Sequence, residues 1–162
     1  MATESNVETL RALIHTFVRS FGLLDQTRTP CGMPMAVSDA HALMELLKNS
    51  GIEQMELSRR LGLSKSATSR LIHRLDRRGQ ITRTKGKDDG RVCNLQLSEK
   101  GKRQAAKING ESMAVFGTVV SGLSDDAVRH LLEYLPLLIE ALPGSSRKSN
   151  SNCVEKRNSH EE

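Results

Sequence analysis

Aromatic residues are scarce in this sequence. The 162-residue chain contains no Trp, one Tyr and three Phe, so that aromatic residues make up 2% of it. β-Sandwiches and β-barrels usually fill their sheets with aromatic and β-branched side chains. The composition therefore favours a mostly α-helical protein. At this length we expect one core of ordinary size, which excludes a large multidomain enzyme.

Cysteine is also rare, and long apolar runs are missing. Cys31, Cys93 and Cys153 lie far apart and form no Cys-x-x-Cys pair, which excludes a disulfide framework and a zinc ribbon. No run approaches the roughly 18 apolar residues of a membrane span. The N-terminus lacks a basic segment followed by an apolar stretch. We therefore expect a cytoplasmic protein with no membrane partner.

Motifs that would indicate catalysis are absent as well. The sequence has no Gly-x-Ser-x-Gly turn, no metal-binding motif and no phosphate-binding glycine loop. An enzyme that uses Cys31 or a serine as its nucleophile is therefore disfavoured. We expect neither an enzymatic activity nor a cofactor.

Charge is present in plenty and is unevenly distributed. The chain has 24 Lys and Arg against 19 Asp and Glu, a net charge of +5. Residues 59–103 alone hold 14 basic and four acidic residues, whereas the remainder of the chain carries a net charge of −5. This asymmetry predicts a basic surface for a polyanionic partner on an otherwise acidic scaffold.

Two long apolar stripes flank the basic region. Apolar residues recur at spacings of three and four over residues 7–24, up to a Pro- and Gly-rich segment, and again over residues 128–142. Pro136 is predicted to kink the second helix. The stripes are too long to be buried within one small domain, so we expect a homodimer. Residues 143–162 are polar and rich in Ser and Asn, which predicts a disordered tail.

The basic region begins with three short helices and continues into a hairpin. The helices are predicted between residues 38 and 79, and the next helix follows the hairpin. The predicted N-caps are Ser38, Ser64 and Ser98, and the predicted helix ends are Gly51, Gly62 and Gly79. One strand opens at Ile81, and the other shows the alternation of Cys93, Leu95 and Leu97. The basic turn KGKDDG joins the two strands.

A helix, a glycine turn and a second, strongly basic helix form a helix-turn-helix arrangement. On a helical wheel, residues 65–78 have one apolar face and one polar face with cationic tips. Such a helix fits the DNA major groove, where Arg can read a base and cations can hold phosphates. We expect Arg70 to read a base and Arg74, at the margin, to hold a phosphate; the alternative is a solvated helix face. The predicted contacts of this helix are Ser64, Lys65, Ser66, Ser69, Arg70, His73, Arg74 and Arg77.

The segments LSKSATSRLIHRLDRRGQITR and KDDGRVCNLQLSEKG together resemble the MarR family of winged helix-turn-helix transcriptional regulators. The resemblance extends over about residues 7–142 and is densest over residues 55–101. It implies a mostly α protein with a two-stranded wing and N- and C-terminal dimerisation helices. The two recognition helices of a homodimer would enter successive major grooves of a pseudo-palindromic operator. Gln80, where the family usually has an apolar residue, and Pro136 depart from the pattern.

The resemblance also assigns residues and domains. Arg91 would be a minor-groove arginine and Asp89 the carboxylate that orients it, in keeping with the negative potential of narrow minor grooves. The predicted wing contacts are Lys85, Lys87, Asp89 and Arg91. The predicted domains are dimerisation helices at 6–27 and 99–142, a DNA-binding domain at 36–98 and the tail at 143–162.

An effector site is expected where the first helix meets the DNA-binding region. The family often binds small aromatic ligands, oxidants or metals at this joint, and Cys31 and His41 fall near it. His41 and Glu45 lie four residues apart and could both face a metal. The favoured interpretation is nevertheless a solvated His with a buried or loop Cys, and no metal site is predicted. The leading hypothesis is a homodimeric, double-stranded-DNA-binding repressor relieved by an effector. The alternative is a winged-helix module that binds an acidic protein.

Overall fold

The computed structural model of the chain describes residues 3–85 and 93–142. The chain divides into two compact units, residues 1–121 and 122–162. The first unit contains, in chain order, α1 (Glu4–Ser20), α2 (Val37–Lys48), β1 (Ile52–Glu53), α3 (Gln54–Arg60), α4 (Lys65–Arg77), β2 (Ile81–Lys85), β3 (Cys93–Leu97) and α5 (Glu99–Ser121). The second unit contains α6 (Asp125–Ala141). The mostly α class predicted from the composition is confirmed.

The first helix is shorter than its apolar stripe predicted. The side chain of Thr3 caps the N-terminus of α1, and the helix ends at Ser20, before the stripe reaches Leu24. Gly22 follows with a φ of +76°, a left-handed conformation that glycine adopts at little cost and that ends a helix. The helix therefore stops at this glycine, ahead of the Pro-rich segment.

The helices of the basic region follow the predicted order, with one wrong cap. Ser64 caps α4 by accepting a hydrogen bond from the backbone N–H of Ala67 at 3.2 Å, as predicted. The prediction of Ser38 as the N-cap of α2 is wrong, because the helix already begins at Val37 and its cap residue is Ala36. Ala36 offers no side-chain acceptor, whereas Asp39 places a negative charge in the first turn, where the helix dipole favours it.

One hydrophobic core joins α2, α3, α4, the sheet and the first half of α5. Its most deeply buried large apolar side chains are Leu43, Leu46, Leu57, Leu71, Ile72, Leu75, Leu95 and Ile108. The packing of α2 against both α4 and α5 places this helix at the centre of the unit.

The sheet has three antiparallel strands in the order β1-β3-β2, instead of the predicted two. The predicted hairpin is present, with Ile81 opposite Leu97 and Lys85 opposite Cys93. The additional strand pairs Ile52 with Leu95. A strand of two residues is too short to show the alternation by which strands are recognised in a sequence. The tip of the hairpin, residues 86–92, lies outside the described residues, as does the predicted tail.

Hydrogen bonds close the base of the hairpin, where α4 ends and α5 begins. Ser98 donates its backbone N–H to the carbonyl of Gln80 at 3.0 Å and its hydroxyl to the carbonyl of Gly79 at 2.7 Å. The same hydroxyl accepts from the N–H of Gly101 at 3.0 Å, which confirms Ser98 as the cap of α5. Gln80 is buried although it is polar, and its Oε1 has no hydrogen-bond partner among the described residues.

The second unit is a single described helix. The hydroxyl of Ser124 accepts from the N–H of Ala127, and Asp125 and Asp126 lie in the first turn. The helix continues through Pro136, and none of its residues is buried. Among residues 3–85 and 93–142, no helix is both long and apolar enough to cross a membrane.

Candidate nucleic-acid interface

The second helix of the helix-turn-helix, α4, has two distinct faces. Thr68, Leu71, Ile72 and Leu75 are buried in the core, as the helical wheel predicted for that side. The opposite side is open to solvent. The eight residues predicted to contact DNA are all exposed: Ser64, Lys65, Ser66, Ser69, Arg70, His73, Arg74 and Arg77.

The start of α4 is firmly anchored. Besides the cap on Ala67, Thr68 donates its hydroxyl to the carbonyl of Ser64 at 3.0 Å. In the preceding turn, Ser58 donates to the carbonyl of Leu63 at 2.7 Å. These bonds fix the turn between α3 and α4, so the N-terminal residues of α4 are presented from a rigid support.

Cations along the exposed face of α4 differ in what they contact. In the part of the chain that the structure describes, Arg70, His73 and Arg77 make no hydrogen bond or ion pair. Each of the two arginines therefore keeps its full set of donors for an outside partner. An exposed, unpaired guanidinium is suited to bind a phosphate or the acceptor edge of guanine.

Arg74 is engaged within the protein. Its Nη2 lies 2.6 Å from Oδ1 of Asp39, and Nη1 of Arg78 lies 3.0 Å from Oδ2 of the same carboxylate. Asp39 is 1% exposed, whereas the two arginine side chains are 44% and 48% exposed. One buried carboxylate in α2 thus holds two cations at the C-terminal end of α4. The phosphate contact predicted for Arg74 is not tested by this arrangement and stays a prediction.

Other ion pairs connect the elements around α4. Nε of Arg60 lies 2.7 Å from Glu56, and its Nη1 lies 3.3 Å from Glu45 of α2, which ties α3 to α2. In β2, Arg83 pairs with Asp76 of α4 at 3.0 Å. The backbone of Lys85 is described but not its side chain, and the other predicted wing contacts, Lys87, Asp89 and Arg91, lie outside the described residues.

A cavity of about 300 Å³ lies beside α2, at the joint predicted for an effector. It is lined by the segment that follows α1, one face of α2 and the middle of α5. Its lining residues are Phe21, Leu23, Thr29, Pro30, Cys31, Val37, Ala40, His41, Met44, Ile108, Ser112, Val115 and Phe116. Both of the predicted effector residues, Cys31 and His41, are among them.

The cavity is mostly apolar, with a few polar groups in its lining. The rings of Phe21 and Phe116 are 5.5 Å apart and connect α1 to α5. Sγ of Cys31 lies 3.1 Å from the hydroxyl oxygen of Thr29. No Lys, Arg, Asp or Glu is part of the described lining. Such a cavity suits a compact, largely apolar ligand better than a strongly charged one.

The structure brings no metal-binding cluster together in its described part. Among those residues, no group of three or more His, Cys, Asp or Glu side chains could hold a metal ion. Glu45, which could have shared a metal with His41, lies against Arg60. His15 and His130 are exposed, and His130 stacks on Tyr134 with ring centroids 5.8 Å apart.

Sequence reasoning missed Asp39 and Arg78. Asp39 resembles an ordinary acidic residue in the first turn of a helix, and Arg78 lies just beyond the end of α4. The spacing of four between Arg74 and Arg78 was the available signal, since residues so spaced share a helix side. The partner, more than 30 residues earlier in the chain, could not be identified without the fold.

Comparison with known proteins agrees with this architecture. Residues 32–92 match the model of the MarR family. A stretch of 58 residues is 40% identical to the transcriptional repressor MprA of Escherichia coli K12, covering 36% of this chain and 33% of the relative. The chain thus matches about a third of the length of that relative.

Two solved structures are similar in fold. One is the PcaV transcriptional regulator from Streptomyces coelicolor in complex with its natural ligand, with a TM-score of 0.67, 18% identity and coverage of 87% of this chain and 98% of that one. The other is the S. aureus MepR-DNA complex, with a TM-score of 0.62, 18% identity and coverage of 88% and 100%. MprA is named as a transcriptional repressor and PcaV as a transcriptional regulator, and MepR was solved in complex with DNA. The chain is thus similar to the MarR family over residues 32–92 and shares the fold of these two solved structures.

Proposed function

We propose that this protein is a sequence-specific double-stranded-DNA-binding transcriptional regulator that acts as a repressor. The observation that carries the proposal is the exposed face of α4, on which Arg70, His73 and Arg77 have no partner in the described part of the chain. A helix fits the major groove, and these side chains can reach base edges and phosphates from it. The names of MprA, a repressor, and of the MepR-DNA complex support the same function.

We further propose that the protein acts as a homodimer. The apolar side chains of α1 are largely exposed, with Val7 at 59%, Leu13 at 63% and Phe17 at 55%. In α6, Leu132 is 73% and Leu137 is 59% exposed. Large apolar patches exposed on a surface usually mark an interface. A second copy of the chain would cover these side chains, and two-fold symmetry would place half-sites about 10 base pairs apart.

Selection of bound duplexes from fragmented genomic DNA tests the DNA-binding function. We expect enrichment of a pseudo-palindrome whose affinity falls steeply with salt, since each phosphate contact releases counterions. Arg70→Ala should cost about 1–3 kcal/mol at one half-site position. Lys107→Ala is a matched control, because Lys107 is also an exposed cation but lies on α5. An absence of enrichment, together with binding to an acidic protein, would favour the interaction-module alternative.

The predicted role of the wing has its own test. Arg91 is proposed to enter a minor groove, with Asp89 orienting it. Arg91→Ala should then lose affinity mainly on operators with A·T-rich flanks, where the minor groove is narrow and its potential most negative. Equal losses on A·T-rich and G·C-rich flanks would remove this role.

Relief of repression is proposed to act through the cavity beside α2. A ligand that binds more tightly to the DNA-free form than to the DNA-bound form lowers operator affinity, typically by a coupling of about 1–3 kcal/mol. Operator binding by wild type, Cys31→Ser and His41→Ala is titrated with peroxide, zinc and neutral and acidic aromatic compounds. We expect a neutral aromatic compound to act on wild type, since the described lining has no cation. Wild-type responses in both variants to every compound would move the effector site elsewhere.

A further inference from the structure

The C-terminal end of α4 carries two half-exposed arginines that are paired with a carboxylate of α2. Arg74 and Arg78 are four residues apart, so they lie on the same side of the helix. That side faces α2, and both guanidinium groups reach Asp39. Arg77, one position away, points to solvent and has no partner in the described part of the chain.

Both oxygens of the Asp39 carboxylate are used. Oδ1 accepts from Nη2 of Arg74 at 2.6 Å, while Oδ2 accepts from Nη1 of Arg78 at 3.0 Å and from Nε of Arg74 at 3.5 Å. A carboxylate that is 1% exposed has lost its hydration and is stable only while cations replace that water. The two arginines are therefore held strongly, although about half of each side chain is open to solvent.

We infer that Asp39 is a positioning residue for DNA recognition, which withholds Arg74 and Arg78 from the phosphate backbone and fixes the orientation of α4 against α2. For Arg74, this inference is an alternative to the phosphate contact expected from the sequence. The inference rests on the proposed DNA-binding function. Two cations that are free to bind any phosphate raise affinity for all sequences alike. Holding them on Asp39 lowers binding to non-operator DNA and leaves recognition to the outward residues, Arg70 among them.

Asp39 and the cavity-lining residues of α2 lie on different sides of that helix. At about 100° per residue, Asp39 lies on roughly the opposite side of α2 from Val37, His41 and Met44, which line the cavity. The helix thus lies between the cavity and the arginines of α4. A tilt of α2 would be transmitted to the end of α4 through this carboxylate.

The first experiment compares wild type with Asp39→Asn on the selected operator and on a scrambled duplex over a range of salt concentrations. An amide of the same shape offers one acceptor in place of two, so at least one arginine is released. We expect the salt slope on scrambled DNA to steepen by about 1–2 per protomer, at about 0.9 for each phosphate contact. The ratio of operator to scrambled affinity should fall about tenfold or more, at the scale of one mismatched base pair. Asp39→Glu, which keeps the charge, should restore part of the ratio.

A folded Asp39→Asn variant with wild-type slopes and affinity ratio would overturn the inference. So would a uniform loss of affinity with an unchanged salt slope, since that is the result of a purely structural role. If wild type itself enriches no operator, the proposed function has failed, which is a different outcome from either of these.

A second pair of variants tests the same inference if Asp39→Asn does not fold. Arg77→Gln and Arg78→Gln remove neighbouring exposed cations, of which only Arg78 is paired with Asp39. We expect Arg77→Gln to lower the salt slope by about 0.9 per protomer and Arg78→Gln to leave it unchanged while lowering operator affinity. Equal reductions of the slope would show that Arg78 binds phosphate and would overturn the inference.

Discussion

Replacing Gly101 by alanine is expected to destabilise the protein, although alanine is the better helix former. The added methyl group would overlap the carbonyl oxygen of Gln80, and would lie 2.9 Å from its carbonyl carbon and 3.2 Å from Cδ2 of Leu97. Nonbonded carbon atoms prefer about 3.5–4.0 Å. Because the first obstacle is backbone, α5 must move away from the hairpin.

The magnitude follows from three contributions. Overpacking costs about 1–3 kcal/mol. Weakening the two hydrogen bonds that Ser98 makes to Gln80 and Gly101 costs about 1 kcal/mol each. The higher helix propensity of alanine offsets about 1 kcal/mol of this destabilisation. We therefore expect the free energy of unfolding to fall by about 2–4 kcal/mol on the basis of these terms.

Gly110 in the same helix provides the matched control. A methyl group there meets no atom within 4 Å, so Gly110→Ala should raise the free energy of unfolding by about 0.5–1 kcal/mol. Both variants are measured by urea unfolding, followed by circular dichroism at one fixed protein concentration. If the two substitutions shift the midpoint in the same direction by the same amount, the close contact of Gly101 does not determine stability.

Three further substitutions and conditions test other parts of the structure. Ser64→Ala removes the cap of α4 and should cost about 1 kcal/mol in urea unfolding; Ser69→Ala, exposed on the same helix, should change little. Leu75→Ala empties a fully buried site and should cost about 2–5 kcal/mol, and a smaller loss would indicate a loosely packed core. Hydrogen bonds from Thr27 hold the pKa of Asp25 below its ordinary value of 3.8, so the turn is stabilised above that value and loses this contribution as the pH falls through the lowered pKa. An NMR titration that found an ordinary pKa would contradict these bonds.

The sequence predicted the elements whose signals are local. Ser64 and Gly79 mark the ends of α4 by capping and by a left-handed glycine, and both features depend on residues within one turn. The alternation ending in Leu95 and Leu97 marked β3 for the same reason. The exposed face of α4 followed from periodicity, since its buried and exposed sides differ in polarity.

Features that depend on distant partners could not be predicted. The pairing of β1 with β3 joins two segments that lie more than 40 residues apart in the sequence. Gln80 is buried against its own polarity, at a position where its backbone carbonyl accepts a hydrogen bond from Ser98. Asp39 is likewise buried by its two arginines. In each case the tertiary contact overrides the local preference, and only the fold shows which contact wins.

The hydrogen bonds of Ser98 at the base of the hairpin affect how far the length of the wing can vary. Strand register in a hairpin is commonly fixed by the length and type of its turn. In this protein, Ser98 fixes the register at the end of the hairpin opposite the turn. It donates hydrogen bonds to the carbonyls of Gln80 and Gly79, next to the pair formed by Ile81 and Leu97. Residues could be gained or lost between β2 and β3 without shifting the side chains that enter the core. The reach of the wing can therefore change by insertion or deletion while the core packing, and with it the placement of α4, is conserved.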